Sequence, residues 1–398
     1  MRGALNLREI KMSINKTNVS LVKCESYERV LVEKAVRQAI DLIGGIQSFV
    51  KPGERILLKP NLLAAKEPGR AITTHPEVLR AVIRILKEVG VVPLIGDSPG
   101  GAIKGVERYW EITGMKKVAF EEDIELVNFE KSSAVEKSIN HRLLSSIYLA
   151  KITQDVDGII NLPKLKTHVF SIYTGAIKNF YGCIPGLRKA EYHKPMPPYT
   201  YDFANLLIEL YMLMKDKVRL NLMDGIIGME GNGPSSKGIV RKFEIVAASC
   251  DAVALDTMLI SMFGMNPLKI KTIKSAANAK AGESNKNNIK ILGDNPSVFN
   301  MRHVRFPTTW YFEMIPRYLL TLLGKYIWMK PVIIPELCTN CHMCVESCPL
   351  KTIKAVKDGK PVIIPKGCIS CLCCHELCPS KAIEMKSSWL SKIIIRRQ

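Results

Sequence analysis

The feature that most constrains the fold of this chain is a cysteine run that is written twice near its end. The copies are CTNCHMCVESCP, from Cys338, and CISCLCCHELCP, from Cys368, which is thirty positions later. Each has the spacing C-x-x-C-x-x-C-x-x-x-C-P. Nine of the twelve cysteines lie after residue 337, a clustering that favours metal binding over disulfides. This end of the chain is therefore expected to fold around metal.

The spacing is that of bacterial-type ferredoxins and predicts two [4Fe-4S] clusters. Three closely spaced thiolates wrap one cubane, and the fourth, followed by proline, points toward the other. Zinc is the alternative, but structural zinc sites pair two C-x-x-C knuckles instead. The predicted ligands of one cluster are Cys338, Cys341, Cys344 and Cys378. The predicted ligands of the other are Cys368, Cys371, Cys374 and Cys348.

Three further features belong to this module. Cys373 is out of register with the ligands, and we interpret it as a small apolar residue beside a cluster, with a redox or alternative-ligand role left open. Between the runs, the Asp-Gly pair within Val356–Ile364 is flanked by β-forming residues and predicts a hairpin. The similarity of CPLKTI to CPSKAI predicts a duplicated unit with pseudo-twofold symmetry.

The preceding three hundred residues alternate strand-like apolar runs with helical periods. This pattern predicts an α/β fold, with a mostly parallel sheet and helices on both faces, joined to a small α+β ferredoxin-like domain. Thr74 and Glu77 form a T-x-x-E capping box for a helix that runs to Glu88. The predicted domains are an α/β domain over 1–294, an aromatic and basic connector over 295–335, and the ferredoxin-type domain over 336–398.

The charge of the chain is strongly basic. Lysine and arginine number 57 against 37 acids, a formal net charge of +20; eight thiolates (−8) and two cluster cores (+4) would lower it to about +16. Such a surplus favours an anionic partner, but many proteins are basic overall without one. No DNA- or RNA-binding module is recognisable, so no nucleic-acid partner is expected.

Neither a signal peptide nor a membrane span is predicted. The first residues lack an uninterrupted apolar stretch of signal-peptide length, and the longest apolar window, from Tyr318, contains Lys325. We expect a cytoplasmic protein without a transmembrane segment. The aromatic connector and the terminal WLSKIIIRRQ leave a peripheral membrane contact open.

Polar side chains follow several predicted strands, where the carboxyl ends of parallel strands border a crevice. These candidates are Lys59, Asn61, Asp97, Lys164, Lys166, His168, Lys178, Asn179, His193 and Asp224. Lysines grouped at one sheet edge would attract a phosphate or carboxylate, although each lysine taken singly is more often a surface residue. His168 and His193 are equally open to a structural role. The Rossmann and P-loop glycine signatures are missing, so neither nucleotide fold is supported.

Several of these elements resemble a known family. LKPNLL, IGDSPGG, INLPKLKTH, GAIKNFYG, LMDGIIGMEGNGP and CDAVALD together look like the family called domain of unknown function 362, in its version fused to a ferredoxin-type pair of clusters. The resemblance covers roughly residues 50–270 and the C-terminal module. It implies an iron-sulfur protein without an established reaction, and adds Asp256 to the motif positions above.

Three functional hypotheses follow. The first is an oxidoreductase that passes single low-potential electrons through both clusters to a small anionic substrate or cofactor in the α/β domain. Its electrons would come from a redox partner protein or another low-potential donor; Lys164, Lys166 and Lys178 would bind the anion, and His168 or His193 would supply protons. The alternative is a non-catalytic electron-transfer or redox-sensing protein that docks an acidic partner. Nucleic-acid binding around a structural cluster is a third, weaker hypothesis.

Overall fold

The structure is a computed structural model that describes residues 16–99, 105–186, 188–196, 201–234, 237–310, 326, 329–357 and 359–389. Its helices are α1 (Arg29–Asp41), α2 (Pro76–Glu88), α3 (Glu107–Ile112), α4 (Met115–Glu121), α5 (Ile152–Asp155), α6 (Ala176–Asn179), α7 (Arg188–His193), α8 (Asp202–Met212), α9 (Ala252–Met262), α10 (Lys271–Asn278), α11 (Met343–Glu346) and α12 (Cys373–Leu377). Its strands are β1 (Thr17–Lys23), β2 (Arg55–Pro60), β3 (Val92–Asp97), β4 (Glu125–Asn128), β5 (Ala134–His141), β6 (Leu144–Ala150), β7 (Gly158–Leu162), β8 (Lys164–His168), β9 (Ile172–Thr174), β10 (Val218–Gly231), β11 (Gly238–Ser249), β12 (Ile289–Gly293), β13 (Met329–Ile333), β14 (Ile353–Lys354), β15 (Val362–Ile363) and β16 (Ile383–Ser387).

The main sheet is mostly parallel, as predicted. Its strand order is β12-β1-β11-β10-β7-β2-β3-β4. The pairs from β10 to β4 are all parallel, and β11 is antiparallel to both of its neighbours. Beyond β7 the chain continues as β8, which pairs in parallel with the far half of β10, and β9 folds back antiparallel on β8. This extension carries the LPKLKTH element.

Alternate residues of the central strands enter two cores on opposite faces of the sheet. On β2, Leu57 packs in the core that contains residues of α8 and α9. Ile56 and Leu58 pack in the other, with α1 and α2. A strand buried on both faces is expected to be continuously apolar, and RILLKP fits that pattern. Helices therefore cover both faces, as predicted.

One predicted local feature, the capping box, is wrong. Helix α2 starts at Pro76, and the side chain of His75, not Thr74, accepts the backbone N–H of Glu77 at 3.2 Å. The Thr74 hydroxyl is used elsewhere: it accepts the N–H of Asn61 at 2.8 Å and donates to the carbonyl of Leu162 at 2.6 Å. Thr74 thus ties the ends of β2 and β7 together at the candidate crevice.

The cysteine-rich module is a small α+β unit. Strand β13 pairs antiparallel with β16, and β14 pairs antiparallel with β15. The second pair confirms the predicted hairpin between the cysteine runs, although Asp358 lies outside the described residues. Of the predicted aromatic and basic connector over 295–335, residues 311–325, 327 and 328 also lie outside them, as does the terminal segment over 390–398. In the described part of the chain, no helix has the length and apolarity needed to cross a bilayer.

The module lies against the carboxyl-end edge of the main sheet. Lys66, in the loop after β2, donates to the carbonyl of Pro379 at 3.1 Å. Lys237, just before β11, forms an ion pair with Glu384. This docking brings the second cysteine run to the crevice that the strand ends were predicted to border.

Candidate functional site

A pocket lies between the edge of the main sheet and the second cysteine run. Its cavity volume is about 110 Å³, close to that of an engineered cavity of about 150 Å³ that binds benzene. We call it the interface pocket. Six of the sequence-predicted candidates line it: Asn61, Asp97, His168, Lys178, Asn179 and His193. The second cysteine run contributes Cys371, Cys373 and Glu376 to the opposite wall.

Lys178 is the cation of this pocket that is available to bind a ligand. It lies in the short helix α6 and is half-buried. Among the described residues, its ammonium group has no hydrogen bond or ion pair. Burial lowers the pKa of Lys178, with Glu376 and Cys373 acting in the opposite direction. A bound anion would favour the charged form of this side chain.

His168 connects the sheet to the cysteine run. Its Nδ1 accepts the N–H of Phe170 at 3.0 Å, so Nε2 carries the ring proton and lies 3.4 Å from a carboxylate oxygen of Glu376. Burial, reinforced by Lys178 and Lys166, holds the pKa of His168 well below its usual value. Burial raises the pKa of Glu376 to about 7, against the opposing effect of the two lysines.

His193 belongs to a group of four rings that we call the aromatic box. It stacks on Phe203, with ring centroids 4.5 Å apart and 20° between the planes. Phe170 and Tyr181 approach it edge-on, at centroid distances of 5.5 and 5.9 Å. Burial lowers the pKa of His193 to about 3, so the imidazole is neutral. Its Nδ1 is buried and has no hydrogen-bond partner among the described residues.

Lys59 and Asp97 form a buried ion pair at the wall of the pocket. Lys59 Nζ lies 2.9 Å from Asp97 Oδ1, and the side chains are 0% and 3% exposed. The other carboxylate oxygen accepts the N–H of Leu62 at 2.8 Å. Burial raises the pKa of Asp97, against the opposing charge of Lys59. Gly182 makes room for the pair, since a Cβ there would lie 2.0 Å from Asp97 Oδ1.

Lys164 and Asp224 form a second buried pair, outside the pocket lining. Lys164 Nζ lies 2.8 Å from Asp224 Oδ2, and both side chains are 0% exposed. The Tyr27 hydroxyl donates to Asp224 Oδ1 at 2.7 Å and accepts from Lys164 at 2.6 Å. The two residues face each other across β8 and β10. The pair therefore ties the β8 extension to the sheet.

Lys166 begins a chain of hydrogen bonds that passes through two amide side chains of the pocket lining, Asn61 and Asn179. Its ammonium donates to Asn61 Oδ1 and to the carbonyl of Ile72, both at 2.6 Å. Asn61 donates to Asn179 at 3.0 Å, and Asn179 donates to Asn161 at 2.8 Å. A fully satisfied buried network holds its members rigidly. It fixes the loop after β2 against α6, the helix that carries Lys178.

Asp256, the remaining family position, binds the backbone at the start of the same helix, α6. Its carboxylate accepts the N–H groups of Ala176 and Ile177 at 2.7 and 3.1 Å and the hydroxyl of Tyr173 at 3.1 Å. Burial raises the pKa of Asp256 to about 7, although these hydrogen bonds oppose the shift. Asp256 is thus placed to orient α6 rather than to contact a ligand.

Several lining residues were not among the sequence candidates. Lys189 donates to Ser98 Oγ, which in turn donates to Glu130; burial lowers the pKa of Lys189 to about 8. Glu376 and Cys373 reach the pocket only through docking of the module, and no local spacing predicts that. One sequence feature could have identified Lys189 as a candidate: it lies between the GAIKN and AEYHKP elements.

The two cysteine runs adopt the same backbone, thirty positions apart. Left-handed residues recur in equivalent pairs: Asn340 and Ser370, His342 and Leu372, Lys351 and Lys381. The backbone N–H of Thr352 points at Cys348 Sγ at 3.3 Å, and that of Ala382 points at Cys378 Sγ at 3.2 Å. The sequence duplication is therefore also a structural one.

The thiols of the two runs influence one another electrostatically, in groups that cross between the runs. Burial raises the pKa of Cys344 to about 11, and its neighbours Cys378, Cys341 and Cys338 add to the shift. In the same way, burial raises the pKa of Cys368, and Cys371 and Cys348 add to it. N–H groups directed at sulfur stabilise thiolate ligands. The donor set and its symmetry fit [4Fe-4S] clusters.

Comparisons with known proteins agree with this architecture. A model of the family described as "Domain of unknown function (DUF362)" matches residues 56–261, and a model of a 4Fe-4S dicluster domain matches residues 330–379. A thylakoid-associated protein of Synechocystis sp. is 37% identical over 259 residues, which are 64% of this chain and 77% of that protein. Among solved structures, the lactate racemase apoprotein from Thermoanaerobacterium thermosaccharolyticum is 12% identical, with a TM-score of 0.36 over 59% of this chain and 54% of the other. At that TM-score the likeness supports no inference.

The two family matches and the curated relative show that the chain belongs to the DUF362 family, in a form fused to a 4Fe-4S dicluster domain, and is an iron-sulfur electron-transfer protein.

Proposed function

We propose that the protein is an oxidoreductase that delivers electrons to a small anionic substrate or cofactor in the interface pocket. One observation supports this proposal most strongly. Cys371, a predicted cluster ligand, and Lys178, a cation without a partner among the described residues, line the same pocket. When bound, two [4Fe-4S] clusters supply single electrons of low potential. Their ligands would be Cys338, Cys341, Cys344 and Cys378 for one, and Cys368, Cys371, Cys374 and Cys348 for the other.

Lys178 is assigned to bind the anionic group. An ammonium without a partner gains a charge-assisted hydrogen bond when an anion arrives. The lysines with partners have another role in this proposal: Lys59 and Lys164 hold Asp97 and Asp224, and Lys166 holds Asn61. They position the walls of the pocket and do not touch its ligand.

His168 and His193 are assigned to proton delivery. An organic acceptor that takes up two electrons in two single-electron steps also takes up two protons. Because both imidazoles are neutral, each would donate its N–H proton only as a neighbouring acid or water returns a proton to the ring, so that no imidazolate forms and the protons come ultimately from water. The electrons would come from a redox partner protein of low potential.

The test is reoxidation of the reduced protein by anionic acceptors. Anaerobically purified protein is reduced with dithionite, freed of excess reductant and mixed with small organic acids, starting with those released from the purified protein and identified by mass spectrometry. Lys178→Met is expected to slow reoxidation by the active acid about tenfold to a hundredfold, because one charge-assisted hydrogen bond is lost. An uncharged quinone should reoxidise wild type and variant at the same rate.

Equal reoxidation of both proteins by every acid would remove the catalytic proposal. The protein would then be the non-catalytic electron carrier of the alternative hypothesis. A low-potential partner protein would still exchange electrons with both forms at the same rate.

A further inference from the structure

The cations of the interface pocket favour an occupant with a single negative charge. Two carboxylates also line the pocket: Asp97 is paired with Lys59, and Glu376 lies beside His168. Lys178 is the one lining cation, among the described residues, whose ammonium group has no partner. Lys189 is committed to Ser98, which is itself bonded to Glu130. A phosphate monoester carries about 1.5 to 2 negative charges at neutral pH and would leave part of that charge without a partner. A carboxylate matches one ammonium group.

The apolar part of the pocket calls for a flat occupant. Phe170, Tyr181, His193 and Phe203 pack at centroid distances of 4.5 to 5.9 Å and all line the pocket. Ring faces and edges bind planar unsaturated groups better than saturated ones, because the quadrupoles of the rings are complementary in stacked and edge-on arrangements. Besides Lys178, the pocket has a polar group in the aromatic box that could bind a ligand. This group is Nδ1 of His193, which lacks a hydrogen-bond partner among the described residues.

The proposed chemistry also calls for conjugation. A molecule that accepts single electrons needs a low-lying unoccupied π orbital, and a saturated carboxylate has none within reach of a biological reductant. Conjugation to an aromatic ring or to a carbon-carbon double bond lowers that orbital and makes the molecule a better electron acceptor.

We infer, resting on the proposed function, that the interface pocket binds a small, flat monocarboxylate conjugated to an aromatic ring or a carbon-carbon double bond. Its carboxylate lies on Lys178 and its unsaturated part lies in the aromatic box, with a hydrogen bond to His193. The inference concerns recognition and can be tested by binding alone.

The test is calorimetric titration of the anaerobic, cluster-loaded full chain with a matched set of probes. Benzoate and trans-cinnamate are the flat acids. Cyclohexanecarboxylate keeps the charge without the flat ring, benzamide keeps the ring without the charge, and inorganic phosphate tests the other anion class. We expect a flat acid to bind wild type at least about tenfold more tightly than benzamide, the margin of one lost charge-assisted contact. It should also bind more tightly than cyclohexanecarboxylate and phosphate, which lose the contacts with the aromatic rings.

Variants locate the binding. Lys178→Met should weaken binding of the flat acid at least about tenfold, and His193→Phe, which keeps the ring but removes its nitrogens, about fivefold. Lys290→Met, at an exposed lysine of edge strand β12, should change nothing. Iron content of each preparation shows that the module is intact.

The inference is overturned if phosphate or cyclohexanecarboxylate binds as tightly as the flat acids, if no flat acid binds, or if Lys178→Met binds like wild type. Failure of this inference and failure of the proposed function are separable. Flat acids that bind but never reoxidise the reduced protein defeat the function alone, whereas Lys178-dependent reoxidation by some other acid defeats the inference alone.

Discussion

Replacing Cys348 with alanine is expected to remove the cluster of the other cysteine run. Cys348 belongs to the first run by sequence, but it gathers with Cys368 and Cys371 of the second. The iron content of anaerobically reconstituted protein should fall from about eight toward about four per chain, because the loss of one of four thiolates weakens the binding of that cubane. Iron and sulfide analysis measures the loss.

Double variants determine which cluster was lost. Cys348→Ala combined with Cys371→Ala should still leave about four irons, because both changes affect one cluster. Cys348→Ala combined with Cys341→Ala should leave close to none. The reverse pattern would mean that each run binds its own cluster and that the ligand exchange is wrong. Cys250→Ala, at a thiol outside both runs, serves as the control and should retain all the iron.

Asp224→Ala is expected to destabilise the α/β domain by about 3–5 kcal/mol, because it leaves the ammonium group of Lys164 buried without its counter-charge. Both side chains are 0% exposed. Chemical denaturation followed by far-UV circular dichroism measures the change. The exposed pair Lys151–Asp155, with side chains 50% and 41% exposed, is the matched control, and Asp155→Ala should cost no more than about 1 kcal/mol.

The double variant Lys164→Met with Asp224→Leu should be less destabilised than the sum of Lys164→Met and Asp224→Leu, since an apolar pair replaces the ion pair. Additive losses, or an Asp224→Ala variant as stable as wild type, would show that this pair does not hold β8 against β10. The same experiment bears on the function of Lys164. A large loss of stability is expected of a lysine that holds the fold together, whereas a lysine that binds substrate need not contribute to stability.

Much of the fold could be predicted because the sequence signals are local and strong. RILLKP predicts a strand at the observed bounds, since burial on both faces leaves its apolar run unbroken. The capping box was misassigned because Thr74 fits the local pattern equally well, and only the tertiary contact with Leu162 decides its use. The β5–β6 hairpin was missed because its residues alternate between half-buried and exposed, which weakens the apolar pattern.

The candidate site was only partly predictable, for a physical reason. Spacing placed the lysines at one sheet edge, but it could not tell which of them would have acidic or amide partners. Lys164 and Lys178 look alike in the sequence, yet one is paired with Asp224 and the other faces the pocket. Glu376 lies about two hundred residues from both, and its position depends on how the module docks.

The central claim is that the cluster held by the second cysteine run, and not the other one, borders the interface pocket. The most direct test is the reduction potential of each cluster in Lys178→Glu, measured by potentiometric titration in two single-cluster backgrounds. Cys341→Ala keeps the cluster beside the pocket, and Cys368→Ala keeps the distant one. A positive charge stabilises the reduced, more negative state of a nearby cluster, so its reversal should lower the potential by tens of millivolts in the first background and by much less in the second. Equal shifts in both backgrounds, or no shift in the first, would contradict the account.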